Sequence, residues 1–126
     1  MTSARYALAR AAGSAAAALS RITRQGDGTT VGGRITLAID PRALEHAAGG
    51  RDLALVTGTN GKTTTRSFLV AALETLGPVA SNAGGANLPS GLTAARARDR
   101  APRRGVLEVD EPFLPQVIEA VHPRAV

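Results

Sequence analysis

The stretch Leu53-Ala54-Leu55-Val56-Thr57-Gly58-Thr59-Asn60-Gly61-Lys62-Thr63-Thr64-Thr65 decides how this chain reads. Four apolar residues in a row fit a short strand buried on both faces. They run into a Gly/Thr turn that carries a lysine, and a helical pattern follows. That order is the geometry of a phosphate cradle. Gly58 and Gly61 can take backbone angles that side chains resist, so the turn can curl with its N–H groups converging inward. The helix starting near Lys62 adds unpaired amides and the positive end of its dipole. Lys62 then supplies a mobile charge for β- and γ-phosphates, and the Thr63 hydroxyl is placed to ligate Mg²⁺. With Thr59, Asn60 and Thr64 the loop forms a candidate nucleotide-phosphate site, and Mg²⁺ is the expected metal.

The lysine stands out against its background. The 126 residues carry 15 Lys plus Arg and a formal charge of +5, yet Lys62 is the only lysine. Arginine and alanine dominate together, as a compositionally biased genome produces, so the basic balance is not read as a nucleic-acid footprint. Tyr6, Phe68 and Phe113 are the only aromatics, too few for the stacking platforms of single-strand binders. No nucleic-acid partner is expected. Zero cysteines exclude a disulfide framework, a zinc finger and thiol catalysis within these residues. Much of the 44% hydrophobic fraction is alanine, which predicts a thin core.

Outward from the loop, the alternation of apolar elements with turns predicts an α/β fold with a parallel, doubly wound sheet. Residues 3–23 read as a helix, because Leu8, Ala12, Ala15, Leu19 and Ile22 recur at steps of four and three. The first 26 residues hold no acid and several arginines, which superficially suits a leader, but Arg10 interrupts any apolar core of one. A structural amphipathic helix is the preferred reading. From Gly33 to Asp40, Ile35, Leu37 and Ile39 alternate with Arg34, Thr36 and Ala38, predicting a strand. Asp40-Pro41 then supplies a cap and a proline for the first turn of a short helix closed by Gly49-Gly50. After the loop, Phe68, Leu69, Ala72, Leu73 and Leu76 mark the packed side of a helix that stops at Gly77-Pro78. Val79-Ala80 begins another strand, Pro89–Arg98 another helix, and Val106–Asp110 a further strand. Glu111-Pro112 opens the last helix, and His122–Val126 reads as the lead-in to one more strand. The division is residues 1–50, a helix with a strand–helix lead-in, and residues 51–126, the first part of an ATPase domain. A chain ending at such a point is expected to be a truncated piece of a longer protein. No apolar run approaches the ~20 residues that cross a bilayer, so a cytoplasmic protein, peripheral to a membrane at most, is expected.

A second element belongs with the loop. Glu108 sits on a short apolar strand, where an unpaired carboxylate is costly to bury. Parallel sheets gather ligands outside the carboxyl ends of their strands, and Glu108 lies near such an end. A divalent cation shared with Thr63 would offset that cost, so Thr63 and Glu108 are the expected metal ligands, and Lys62 and Glu108 the expected catalytic pair. Asp110 suits a helix-capping role instead, ahead of Glu111 and Pro112. The loop from Ser81 to Gly91 should lie on the same rim, and its Asn82 and Asn87 are candidates to hold phosphate or metal-bound water. His46 and His122 have no ligand spacing and read as structural or solvent-facing.

The strict Walker pattern would require glycine at Val56, so the general motif fails. The tighter form Gly58-Thr59-Asn60-Gly61-Lys62-Thr63-Thr64 resembles the ATP loop of the Mur ligase superfamily, whose central domain has a P-loop NTPase-like architecture. The contexts Asn82-x-Gly84-Gly85-x-Asn87 and Glu108-Val109-Asp110-Glu111 are similar to the branch that amidates lipid II. That resemblance implies that ATP phosphorylates the α-carboxyl of D-glutamate in the lipid II stem peptide. Ammonia from a GatD-like glutamine amidotransferase subunit then attacks the acyl phosphate, a step in peptidoglycan synthesis. It also implies that the adenine pocket and acceptor site lie beyond Val126, so that this segment alone has little activity. A folylpolyglutamate or poly-γ-glutamate synthase-type ligase, or another P-loop ATPase or kinase, is the alternative. A GTPase is excluded within the segment, since its base-reading Asn-Lys-x-Asp element needs a second lysine.

Overall fold

The computed structural model describes residues 4–23, 29–82, 89–96 and 102–126. The elements in chain order are helix α1 (Ala4–Ile22), α2 (Thr29–Ile39), α3 (Ala43–Ala48), strand β1 (Asp52–Val56), α4 (Lys62–Glu74) and β2 (Val79–Ser81). They continue with α5 (Pro89–Arg96), β3 (Arg104–Glu108), a 3₁₀ turn (Glu111–Phe113) and α6 (Leu114–Val121). The strands form a parallel sheet in the order β1-β3-β2. The result is a mixed α/β fold with a small parallel sheet.

β3 is the central strand and is buried from Gly105 to Glu108. Its alternate residues serve the two faces of the sheet. Leu107 and Val109 join Leu53 and Leu55 of β1 in the main core, closed by Leu44 of α3, Leu92 of α5, and Val117 and Val121 of α6. Glu108 faces the other way, toward α4. Beyond β1, the Arg124 amide donates to the Leu53 carbonyl and the Leu55 amide to the Ala125 carbonyl. Ala125 thus pairs with Ala54 in parallel, as the expected strand lead-in.

Two expectations from hydropathy patterning fail for a packing reason, and a third holds only in part. The segment Gly33–Asp40 is not a strand: it lies in helix α2 and the residue that ends it. Its buried positions, Gly32, Gly33 and Thr36, follow helical spacing and form a face of small residues. A Cβ on Gly32 would lie 2.7 Å from the Gly13 carbonyl oxygen of α1, and a Cβ on Gly33 would strike the Ser90 carbonyl of α5. Close backbone contact on both sides therefore overrides the alternating Ile/Leu pattern, as tertiary context commonly does for strand propensity. The second failure follows from the same contact. α1 buries Tyr6, Ala9, Gly13 and Ser20, while Leu8, Leu19 and Ile22 of the anticipated packed stripe stay exposed. Third, α4 turns Lys62, Arg66, Leu69, Val70 and Leu73 toward the sheet, so Leu69 and Leu73 of the anticipated side pack, while Phe68, Ala72 and, beyond the helix, Leu76 are exposed.

Smaller corrections concern caps. Pro41 sits in the turn before α3 and not within it. Asp40 fixes that turn, its Oδ1 accepting from the Arg42 amide at 3.1 Å and its carbonyl from the Ala43 amide. His46 stacks on Tyr6 with ring centroids 5.3 Å apart, and His122 ends α6 in the left-handed region with φ 45°. Both histidines thus sit at structural positions. No helix among the described residues is long and apolar enough to cross a membrane.

At the opposite end of the sheet from Glu108, Asp52 accepts from Arg124 Nε at 2.8 Å and from Arg103 Nε at 3.2 Å. The Arg124 hydrogen bond, helped by the charge of Arg103, holds the Asp52 carboxyl below its ordinary value. A depressed carboxyl stabilises the fold above its unfolded-state pKa, and the contribution fades as pH falls through the folded value. Asp52→Asn is therefore expected to lower thermal stability at neutral pH and flatten the acid limb of a melting temperature–pH curve below about pH 4. For the glycine contact, Gly33→Ala is expected to destabilise by about 1–3 kcal/mol in denaturant titrations, despite alanine's better helix propensity. Gly49→Ala, whose new methyl meets nothing closer than 3.5 Å, is the matched control and should stay within about 0.5 kcal/mol.

Candidate functional site

The site grows from the register of two strands. Val56, the last residue of β1, is the Cα partner of Glu108, the last residue of β3. The Val109 amide donates to the Val56 carbonyl at 2.9 Å, carrying the pairing one step further. Everything from Thr57 to Gly61 therefore leaves the sheet directly beside the Glu108 carboxylate.

Two glycines shape the turn, Gly58 with φ 142° and Gly61 with φ 80°. Both angles lie where a Cβ would clash with the backbone. α4 then begins at Lys62, and its first helical bond runs from the Thr65 amide to the Gly61 carbonyl. No side chain caps this end. Helix geometry leaves the first amides without intrahelical partners, so an uncapped start offers donors and positive dipole to an anion.

Side chains complete the rim. Lys62 Nζ donates to the Gly58 carbonyl at 2.7 Å and lies 3.4 Å from Asp110 Oδ1. Asp110 occupies the cap position of the 3₁₀ turn, but its side chain makes no cap hydrogen bond and faces Lys62 instead. The anticipated capping role is thus taken by backbone alone, the Phe113 amide bonding the Asp110 carbonyl. The Thr63 hydroxyl donates to Glu108 Oε2 at 3.2 Å. Glu108 is 3% exposed, and its Oε1 lies 2.8 Å from Arg66 Nε. That contact is an ion pair without an aligned N–H, since both atoms are buried with no hydrogen bond.

Asn82 lies beneath this group and not on its open side. Its Nδ2 donates to the Glu108 carbonyl at 2.9 Å, and its Oδ1 accepts from the Glu108 amide at 2.8 Å. A buried asparagine spent on the Glu108 backbone is a support for the carboxylate, in place of the ligand-holding role expected of it. Asn87 and Gly84-Gly85 lie outside the described residues. Thr59, Asn60 and Thr64 are exposed on the outer side of the loop and first helical turn.

These residues fit a hard, oxygen-seeking cation. The Thr57 hydroxyl, one residue past β1, is a buried polar oxygen without a hydrogen bond. Neighbouring oxygens around Mg²⁺, with bonds of about 2.1 Å, sit roughly 3 Å apart, and Thr63 Oγ1 and Glu108 Oε2 are separated by 3.2 Å. Among the described residues no group of three or more acidic, His or Cys side chains could cage a metal. One carboxylate and one hydroxyl suit an ion that draws its other ligands from water and phosphate.

Reading the sequence alone misses Arg66. Its Nη1 donates to Ser81 Oγ at 3.1 Å and to the Asn82 carbonyl at 2.8 Å while its Nε meets Glu108. Its position was the available signal: four residues after Lys62 and three after Thr63, it shares their helix face.

The chain is 34% identical over 107 residues to the lipid II isoglutaminyl synthase (glutamine-hydrolyzing) subunit MurT of Streptococcus pneumoniae, covering 81% of this chain and 24% of that protein. It is 33% identical over 100 residues to the MurT subunit of Staphylococcus aureus, covering 76% of this chain and 23% of that protein. The sequence is MurT-like. The chain spans about a quarter of the length of these curated relatives. No protein-family profile matches it, and no solved structure matches it significantly. The resemblance to the Mur ligases read from the loop thus narrows to MurT through whole-segment similarity.

The support given to Glu108 generates a test. Asn82→Ala deletes both of its bonds to the Glu108 backbone and leaves buried polar groups unpaired, and should cost about 2–3 kcal/mol in a denaturant titration. Asn82→Asp keeps the acceptor but sets a carboxylate oxygen against the Glu108 carbonyl in a buried position, and should cost at least as much at neutral pH.

Proposed function

We propose that the protein carrying this chain is an ATP-dependent amide ligase of peptidoglycan synthesis, and that this segment is its phosphate-binding part. The observation that carries the reading is the register of Val56 with Glu108, which sets a glycine turn, a lysine and an uncapped helix start beside a buried carboxylate. The relatives are named as subunits of lipid II isoglutaminyl synthase, which favours lipid II over a folate or polyglutamate acceptor. The architecture we infer is that of a P-loop NTPase-like Mur ligase domain beginning near Arg51, with residues 1–50 as its lead-in.

In this reading the amides of Gly61 to Thr64 take the terminal phosphates of ATP. Lys62 gives up the Gly58 carbonyl and Asp110 for those phosphates. Thr63 and Glu108 would hold Mg²⁺, which would supply neutralising charge to the phosphates. Transfer to the D-glutamate carboxylate of the stem peptide brings two anions together, so fixed positive charge between them is what the chain's residues supply. The γ-phosphoryl bond to ADP breaks as the carboxylate oxygen bonds phosphorus. Ammonia, delivered by a GatD-like glutamine amidotransferase subunit, then displaces phosphate to give the amide. The acceptor and adenine sites belong to the remainder of the protein, so the segment alone is expected to be inactive. A cytoplasmic location follows from the supply of ATP, with lipid II met at the membrane surface.

Magnesium-dependent ATP hydrolysis coupled to amidation, measured on the full-length protein with its amidotransferase partner, tests this. Lys62→Ala is expected to lower turnover by about 10²-fold or more without lowering the melting temperature by more than a few degrees. Turnover equal to that of the unmutated protein would falsify the assignment of the loop.

A further inference from the structure

We propose that Arg66 is the positioning residue of the candidate cation site, holding the Glu108 carboxylate in the orientation that offers Oε2 beside the Thr63 hydroxyl. The inference rests on the functional reading above and adds a residue to it that neither the loop motif nor the relatives' names assign.

Glu108 has its backbone fixed on both sides by Asn82, but its side chain has three rotatable bonds beyond that anchor. The bond from Thr63 comes from an uncharged donor and at 3.2 Å is long for an O–H···O contact, too weak alone to select one rotamer of a buried acid. Arg66 is the cation paired with this carboxylate among the described residues, since Lys62 faces Asp110 instead. Its side chain is itself immobilised. One nitrogen bridges Ser81 Oγ and the Asn82 carbonyl at the end of β2, while the Nε edge meets Glu108 Oε1. A guanidinium can address two directions at once from a planar fork; an ammonium cannot hold both with the same geometry. Arg66 thus ties α4, β2 and β3 to one another at the carboxylate. It engages Oε1 and leaves Oε2 toward Thr63. Groups that orient a metal ligand in this way commonly contribute 10–100-fold to metal affinity.

The test is a magnesium titration of nucleotide binding to the full-length protein, read by calorimetry with a non-hydrolysable ATP analogue, alongside binding of the same analogue in EDTA. Arg66→Met is expected to raise the magnesium concentration for half-maximal binding by about tenfold or more, while affinity in EDTA stays within about twofold. Arg66→Lys should recover only part of the loss. An unchanged magnesium midpoint in Arg66→Met, or an equal loss with and without magnesium, overturns the inference. Should Arg66→Met not fold, Ser81→Ala carries the test: it frees one anchor without stranding a charge. Its midpoint should rise about threefold, the worth of one hydrogen bond, and no rise overturns the inference. If the unmutated protein binds the analogue with no magnesium dependence, the functional reading falls and this inference falls with it. A magnesium dependence that survives unchanged in the variants sinks the inference alone.

Discussion

The burial of one carboxylate organises this structure. Glu108 ends the central strand and is nearly sealed from solvent, where an isolated charge would be far less stable than in water. Three elements converge to offset that cost. α4 contributes the Arg66 charge and the Thr63 hydroxyl, and the end of β2 contributes Asn82 and Ser81. The pairing of β3 with β1 holds the acid next to the turn. A carboxylate so placed is poor as a stabilising device, because a well-packed apolar residue would do as well or better there. Its presence at the end of the buried, otherwise apolar run 105–107 therefore points to chemistry, and the functional reading starts from that point.

The fold around it uses two kinds of packing. Beneath the sheet, branched side chains from β1, β3, α3, α5 and α6 interlock in an ordinary apolar core. At the amino-terminal side, α1, α2 and α5 approach through Gly13, Gly32, Gly33 and Ser90, with the Thr36 hydroxyl donating to the Gly32 carbonyl inside the contact. Helices this close gain backbone-to-backbone contact and give up side-chain volume. Leu8, Leu19 and Ile22 of α1 consequently point outward. An alanine- and glycine-rich sequence can pack densely in this way without the bulky side chains that usually mark a core.

This difference also explains which parts of the structure were legible in the sequence. The β1–turn–α4 unit was legible because local rules agree there: an apolar run, glycines at turn positions, then a helical period. Glu108 was legible for a chemical reason, as an acid where acids are costly. The segment from Gly33 to Asp40 was not, because its Ile35, Leu37 and Ile39 obey a strand pattern while its structure is set by glycines meeting distant backbone. The α1 stripe misled in the same sense, since hydropathy weights Leu8 and Leu19 over the Gly13 that makes the contact. Arg66 escaped notice because an arginine on a helix in an arginine-rich chain reads as a solvated surface charge. Only the register of β3 and the position of β2 turn it into a buried partner.

Charge balance at the rim links the observed arrangement to the proposed one. Lys62 is matched by Asp110 and Arg66 by Glu108, so two cations and two carboxylates leave the site formally neutral. A neutral site has little long-range pull on a free divalent ion, whereas phosphate can compete with Asp110 for Lys62 through the adjacent amides. Once a polyphosphate is in place, the local charge turns negative and a cation between it and Glu108 becomes favourable. The two pairs also differ in a way that fits this order. The Lys62–Asp110 pair is partly exposed and 3.4 Å long, and such pairs contribute little and exchange readily. The Arg66–Glu108 pair is buried and shorter, and breaking it would strand a charge. The lysine is therefore free to change partners while the arginine is not, so in the proposed reading phosphate capture proceeds at a site whose cation ligand is already held still.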